Sequence, residues 1–385
     1  MTFDVLLIGL GDEVLGAATE DAQQRHLRYA DSVDHLHMIV WQSRDGSTAP
    51  VPLSPKLTVY PAGRGGRLDF VRDALRVGGE LVRRHPIRVI STQDPFYTAA
   101  VGLWLRRHGV RLQIQNHSDF FDNKYWIRER PLWNTALNAF GKWAVHRADR
   151  MRVVNTTERQ KYLTEGISVE RVDVLPVPTN LARFTQPVSN SRLAELRNRW
   201  QISANAPVLF WVGRPVVFKD LGTVLRAMAI VCRERPDAYI VLGGDFSCAP
   251  QWQVRANELG LANSVRFVGR IARDELPDYF ALCAMYLHSS VYEGFGRVMV
   301  EAAAAGRAVV ATRTAGALDI VQDNETGLLC PVRSPEAFAA AVLKLLSDPD
   351  RAHTMGTAAR SWVQQQFDPD RLTEGIVAAW RRCAE

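Results

Sequence analysis

The sequence predicts an α/β protein of two doubly wound domains, and three observations carry that expectation. Short apolar runs alternate with amphipathic helical stretches, with no hairpin signal between successive strands, so the strands belong in parallel sheets covered by helices. A chain of 385 residues exceeds what one hydrophobic core comfortably serves, which favours two domains. The same alternation restarts halfway along, at "APVLFWVGR".

Hydrophobic residues at 47% and charged residues at 23% are ordinary for a soluble globular chain. The net charge of +6 is uneven: the first 190 residues carry 25 Lys and Arg against 20 Asp and Glu, the remainder 22 against 21. The first half therefore either faces an anionic partner or has a plainly basic surface. All five cysteines lie in the second half without C-x-x-C spacing, which reads as buried reduced thiols in a cytoplasmic protein. No apolar run approaches the roughly 18 residues of a membrane span, and "MTFDVLLIGLGDE" enters an acidic loop where a signal peptide would have a cleavage site.

The first strand, "FDVLLIG", leads into "GLGDEVLG", where Gly9, Gly11 and Gly16 precede a helix. A nicotinamide fingerprint is disfavoured, because its third glycine would fall at Val14. The next strand, moreover, ends in Gln42 and Ser43 without a carboxylate for ribose. A glycine-rich loop that lets a ligand approach the backbone fits better. Further on, "STQDPF" and "QNHSDF" lie at strand C-terminal ends, where open parallel sheets place their ligands, so Asp94, His117 and Asp119 are acceptor-side candidates. A satisfied structural role is the competing reading of His117.

Lys124 to Arg152 carries seven Lys and Arg against two Asp and Glu, interleaved with Trp126, Trp133 and Trp143. Trp133, Leu137, Phe140 and Trp143 recur at helical spacing, giving a face that either packs on its own domain or meets a membrane surface. "NLARFTQPVSNSRLAELRNRW" reads as a polar connection, with a boundary near residue 185. The expected domains are 1–185 and 186–368, with a terminal helix of about 369–385 packing back on the first.

In the second half, Arg214 and Lys219 flank the turn after "APVLFWVGR"; two cations beside a helix start could neutralise a diphosphate without a metal. Downstream, Leu287 to Pro331 reads as strand, turn, helix and strand. The turn is Gly294, Phe295 and Gly296, and the helix after it directs free N–H groups and its positive dipole end at the strand tips, an anion site. Glu293 precedes that turn and Glu301 lies about one helical turn inside. A buried carboxylate there is costly unless it accepts hydrogen bonds, as from sugar or ribose hydroxyls. Two "DPD" strings, at Asp348 and Asp368, match a metal-holding D-x-D pattern, but Asp-Pro at a helix start is ordinary capping. No metal is expected.

"SSVYEGFGRVMVEAAAAGRAVVATRTAGALDIVQDNETGLLCP", with "WVGRPVVFKD" and "VRFVGRI", resembles the C-terminal domain of glycosyltransferase family 4, retaining enzymes of the GT-B fold. The resemblance is specific over about Val208 to Pro331 and looser over the first half. It implies two Rossmann-like domains with parallel sheets facing across a cleft, the first binding acceptor and the second a UDP- or GDP-type sugar, with no other cofactor. The family's E-x7-E pair falls at Glu293 and Glu301. Glu301 would hold the donor ribose, while Glu293, Gly294 and the backbone of Phe295, Gly296 and Arg297 would hold sugar and phosphates. Arg214 and Lys219 match the diphosphate cations, and His117 the histidine whose loop lies against the anomeric centre. The expected catalytic set is thus His117, Arg214, Lys219 and Glu293. Gly11 would touch a donor phosphate, and backbone groups from Gly269 to Ile271 and near Gly243 and Gly244 would read the base. Two departures stand out: "GLGDEVLG" replaces a tighter Gly-Gly pair, and Asp319 stands where many relatives have Glu.

The implied reaction moves a hexose to a hydroxyl of a saccharide or lipid-linked acceptor. The acceptor attacks from the front face, the leaving phosphate acts as base, and domain closure excludes water. A cytoplasmic protein is expected, with peripheral contact on the inner membrane face through about 124–152. The alternatives are a sugar-nucleotide epimerase of the same fold and, from another class, a basic nucleic-acid-binding protein. The second is suggested by a pI near 9.2 but lacks a reading module, so no nucleic-acid partner is expected.

Overall fold

The computed structural model describes residues 3–11, 13–15, 20–42, 48–63, 65–106 and 109–385. Gly16 of the first glycine-rich loop and Ser43 after the second strand lie outside them. The chain divides into two compact units, Met1–Pro178 with Pro369–Glu385, and Thr179–Asp368.

In the first unit the strands are β1 (Asp4–Gly9), β2 (Leu36–Trp41), β3 (Val51–Ser54), β4 (Leu57–Ala62), β5 (Ile87–Thr92), β6 (Arg111–Asn116), β7 (Arg150–Val153) and β8 (Val172–Val174). Its helices are α1 (Glu20–Asp31), α2 (Arg67–Arg84), α3 (Tyr97–Leu105), α4 (Lys124–Glu129), α5 (Pro131–Arg147) and α6 (Thr156–Thr164). The described strands form one sheet in the order β3-β4-β2-β1-β5-β6-β7-β8. Pairing is parallel except for β3, which runs antiparallel to β4. Strand alternation in the sequence does not reveal this short strand. It carries Pro52, which an edge tolerates because no neighbour needs its missing N–H.

The core of this unit gathers Val5, Leu7, Leu36, Met38, Val40 and Val89 against Ile376, Val377 and Trp380. The last three belong to a terminal helix, Pro369–Ala384, which packs on β5, β6 and α1. Its Trp380 meets Tyr29 edge-on at 5.7 Å, and the indole N–H donates to Gln113 Oε1 at 3.0 Å, satisfying the one polar atom that burial of a tryptophan would otherwise strand. Pro131 separates α4 from α5 and sits in the first turn of α5, where its missing N–H costs nothing.

In the second unit the elements are α7 (Ala182–Thr185), α8 (Asn190–Arg199), β9 (Val208–Val212), α9 (Leu221–Glu234), β10 (Tyr239–Gly243), α10 (Gln251–Glu258), β11 (Val265–Gly269), α11 (Leu276–Leu282), β12 (Met285–His288), α12 (Arg297–Ala304), β13 (Ala308–Thr312), α13 (Ala315–Ile320), β14 (Gly327–Cys330), α14 (Pro335–Leu346) and α15 (Pro349–Gln366). The terminal helix of the first unit is then α16. All pairings in this sheet are parallel, in the order β11-β10-β9-β12-β13-β14.

The polar segment read as a connection folds as α7 and α8 and belongs to this unit. Its apolar stripe is thin, since Leu196 is the one buried residue of α8, and a periodicity search has little to find. Tertiary contacts hold it instead. Ser189 caps α8, Arg192 pairs with Asp278 at 2.7 Å and Glu275 at 3.1 Å, and Phe184 meets Phe280 at 5.8 Å.

Candidate active site

The C-terminal tips of β9, β10 and β11 are fastened by backbone hydrogen bonds. Gly213 N–H donates to Gly243 O at 3.0 Å and Gly244 N–H to Gly269 O at 2.8 Å. A Cβ on Gly244, where φ is 157°, would stand 2.3 Å from Gly213 O, so the approach requires glycine. Ile271 packs its Cδ1 over Gly243, and Gly269 turns the chain at φ 76°. The backbone from Gly269 to Ile271 is thereby fixed beside the strand tips.

Two loops meet beyond β9 and β12. Ser289 Oγ donates to Lys219 O at 2.7 Å, and Val291 N–H to Phe218 O at 2.8 Å. With the backbones joined, the Lys219 ammonium pairs with Glu293 Oε2. Ser290 Oγ donates to the same oxygen at 3.3 Å, and His288 Nε2 lies 3.3 Å from it. Tyr286 Oη steadies the other face of His288, 3.3 Å from Nδ1. Burial alone would push the Glu293 carboxyl up. The charge of Lys219 and the hydrogen bond from His288 outweigh it and hold the group at about 2, so it is ionised at neutral pH. Burial pushes His288 down despite that bond, which favours neutral imidazole. Sequence reasoning found Lys219 and Glu293 but missed His288 and Ser290, whose place beside the E-x7-E motif was the available signal. Arg214 is exposed and makes no ion pair among the described residues.

Gly296 starts α12 from the left-handed region, φ 78° and ψ 53°, a turn natural to glycine. Gly316 allows the main chain of this turn to pack closely, since a Cβ there would lie 2.5 Å from Phe295 O. Phe295 itself is buried against Phe367 at 5.5 Å. Glu301, within α12, is fully buried. Its Oε1 accepts from Arg273 Nη2 at 2.6 Å and lies 3.3 Å from Arg297 Nε, whereas Oε2 is buried with no hydrogen-bond partner among the described residues. A lone orphaned acceptor costs about 1–3 kcal/mol, and a ligand hydroxyl would remove that cost. Arg273, on the loop after β11, is a third missed residue.

The first unit distributes its candidates differently. Asp94 has both carboxylate oxygens engaged: Oδ1 accepts from Phe96 N–H at 2.8 Å, and Oδ2 from Thr98 N–H at 3.2 Å and Thr98 Oγ1 at 2.6 Å. It holds the start of α3. Asp119 pairs with Lys161 and accepts from Asn123 Nδ2 at 2.8 Å. Lys161 also lies 2.8 Å from the fully buried Glu158, which accepts from Asn116 Nδ2 at 2.7 Å. Burial, opposed by Lys161 and helped by Asp119, pushes Glu158 up to about 8. Gly11 is covered by Glu13, whose Oε2 would stand 2.0 Å from an added Cβ.

His117 lines a cavity of about 230 Å³ with Arg25, His26, Gln115 and Arg152. Burial, then the charges of Arg152 and Arg25, bring His117 down to about 3, so it is a neutral imidazole. Arg152 is 4% exposed, and its guanidinium donates to Leu175 O at 2.8 Å, Gln115 Oε1 at 2.8 Å and Pro176 O at 3.0 Å. Those partners are all neutral. Among the described residues no carboxylate pairs with this guanidinium, so its charge is left to neutral acceptors. On α5, the face carrying Trp133 and Trp143 points outward, while Asn134, Gly141, Ala144 and Val145 are buried. Leu132 is 91% exposed, and Arg147 sits 4.0 Å over the Trp143 ring.

Residues 11–178 match the Glycosyl transferase 4-like domain, and residues 194–362 match Glycosyl transferases group 1. A GDP-mannose-dependent alpha-(1-6)-phosphatidylinositol monomannoside mannosyltransferase of Mycobacterium tuberculosis is 33% identical over 343 residues, 82% of this chain and 87% of its own length. A D-inositol 3-phosphate glycosyltransferase of Streptomyces avermitilis is 32% identical over 55% of this chain and 47% of its own. Among solved structures, sucrose-phosphate synthase from Thermosynechococcus elongatus has a TM-score of 0.83 at 22% identity, covering 99% of this chain and 98% of that one. HepE from Anabaena, in complex with UDP and glucose, gives 0.75 at 20% identity over 99% and 100%. With two parallel-sheet α/β domains, both halves of the family signature and a relative matched over most of its length, the chain belongs to glycosyltransferase family 4 and is a glycosyltransferase of the GT-B fold.

Proposed function

We propose that this glycosyltransferase moves a hexose from a GDP- or UDP-hexose to a hydroxyl of a lipid-linked saccharide, with retained anomeric configuration and without a metal. The observation that carries the proposal is the buried, unpartnered Oε2 of Glu301, which matches a hydroxyl donor such as the ribose of a nucleotide. Lys219 and the N–H groups at the start of α12 meet the charge that accumulates on the departing diphosphate. Stabilisation that grows with that charge lowers the barrier. Glu293 orients Lys219 and, with the Gly294 to Arg297 turn, holds the sugar. The acceptor hydroxyl attacks the front face and passes its proton to the leaving phosphate, and neutral His117 positions the acceptor side.

Mannose is the first sugar to test, since the relative that matches 82% of the chain is GDP-mannose-dependent and acts on a phosphatidylinositol mannoside. The Arg152 cavity supports an acceptor bearing an anionic group, and the outward Trp face of α5 supports peripheral membrane contact. The test is a screen of GDP-mannose, UDP-glucose and related donors for nucleoside diphosphate release, with and without a phosphatidylinositol mannoside, in EDTA. Acceptor-dependent release that survives EDTA is expected. Donor isomerised without acceptor would select the epimerase reading, and release that needs a divalent ion would overturn the metal-free one.

A further inference from the structure

At the N-terminal ends of the strands, away from His117, the first unit gathers side chains that sugar transfer does not use. Asp4 begins β1, His37 lies at the start of β2, and His85 caps α2 two residues before β5. The ligand atoms of these three all lie within 4.8 Å of one another. His37 Nε2 is 3.3 Å from Asp4 Oδ2, and His85 Nδ1 is 4.0 Å from the same oxygen. Donors at about 2.0–2.1 Å from a tetrahedral ion stand roughly 3.3 Å apart, so His37 and Asp4 already have that spacing and His85 has to move closer to complete the set. We infer that Asp4, His37 and His85 form a binding site for a divalent transition-metal ion of the zinc class, which ties together the ends of β1, β2 and α2.

Two features favour this over an ordinary buried histidine pair. Among the described residues, the ion-pair partners of Asp4 are imidazoles, with no Lys or Arg, although its side chain is only 7% exposed. A His–Asp hydrogen bond accounts for His37; His85 lies against the His37 ring, centroids 4.5 Å apart, and also approaches the same oxygen. In addition, the far nitrogen of His37, Nδ1, lies 3.1 Å from Tyr60 Oη. That is the outer partner by which a metal-bound imidazole is oriented, with Nδ1–H donating and Nε2 turned to the ion. His35 lies tilted against His37, ring centroids 4.4 Å apart, and is held by Thr58 Oγ1 at 3.0 Å, bracing the ring without joining the ligand set. Water reaching the site past His85, whose side chain is 41% exposed, would complete the coordination.

The test uses untagged full-length protein, stripped with EDTA and titrated with Zn2+ by calorimetry and by thermal unfolding. One ion per chain and a rise in Tm that grows with free zinc are expected. His85→Asn, at a half-exposed position that keeps the fold, should weaken binding by more than about a hundredfold, and Tyr60→Phe by about 10- to 100-fold. Circular dichroism of each variant checks that the fold is intact. Equal zinc uptake by wild type and His85→Asn, or no uptake by wild type, would overturn the inference. The readout is binding and Tm, so a failure here leaves the reading of sugar transfer untouched, and the reverse also holds.

Discussion

Each half of this glycosyltransferase builds a lysine–carboxylate cluster just past a strand end, after β6 in the first unit and after β12 in the second, and the two are charged in opposite ways. In the second, Lys219 serves one carboxylate, Glu293, which is held at about 2 and stays ionised. In the first, Lys161 is shared between Asp119 and Glu158, and the deeper of the two rises to about 8. The ratio of cations to carboxylates, together with depth, decides the outcome. One lysine can neutralise one buried carboxylate, and a second must hold a proton. The first cluster engages its carboxylates with Lys161, Asn116 and Asn123, although Glu158 Oε1, 2.8 Å from the lysine, has no hydrogen bond among the described residues. The second stands beside a glycine turn and a helix start, and the same unit holds the unsatisfied oxygen of Glu301.

The comparison can be broken by mutation, beginning with the largest effect. Lys219→Ala should lower kcat by about 10²–10³-fold, the range for removing one preorganised donor to a developing anion, while circular dichroism stays native. Glycosyl transfer within tenfold of wild type would remove Lys219 from the chemistry. Glu301→Ala should lower kcat/KM for the donor by about 10–100-fold, as for a lost hydrogen bond to a charged group, while leaving the fold intact. Steady-state kinetics with varied donor tests this, and an unchanged value would mean that the orphaned oxygen has no ligand.

The third experiment addresses the first cluster. Glu158 has a folded value above its unfolded one, so the stability it contributes is present below about pH 4.5 and is lost as pH rises toward 8. Glu158→Gln should therefore flatten the unfolding free energy between those pH values, by on the order of a few kcal/mol, with less than a tenfold effect on transfer. Urea unfolding across that range reads it, and an unaltered slope would place the proton elsewhere. The smallest effect concerns α5. Trp133→Glu with Leu132→Glu should reduce sedimentation with anionic vesicles at low salt several-fold while sparing transfer to a soluble acceptor. Equal sedimentation would return that face to an ordinary surface.

Much of the fold was legible, because parallel strands buried on both faces read as apolar runs and helices as 3.6-residue stripes. The legibility failed where those signals thin out. The α8 segment buries one leucine, β3 is four residues long with a proline, and both depend on partners the pattern does not contain. At the site, Glu293, Gly296 and Glu301 stood out because a tight turn before a helix requires glycine and a carboxylate in an apolar helix is conspicuous. Asp94, expected on the acceptor side, has its carboxylate engaged by Phe96 and Thr98, and strand-tip position says nothing about which N–H groups will claim a carboxylate. Asp94 caps α3.

Periodicity, glycine spacing and the E-x7-E pair determined by themselves that this chain has two parallel-sheet domains and a charged turn before a helix. Only the tertiary structure decided what each charge meets. Arg273 reaches Glu301 across 28 residues and Lys219 reaches Glu293 across 74, while Trp380 crosses 267 to close the first core. Pairings of that span are set by how the sheets stack their loops, and local sequence carries no record of them. The same holds for Arg152, with which no carboxylate pairs among the described residues, and for Asp4, His37 and His85, which are scattered in the chain and neighbours only once β1, β2 and α2 are packed.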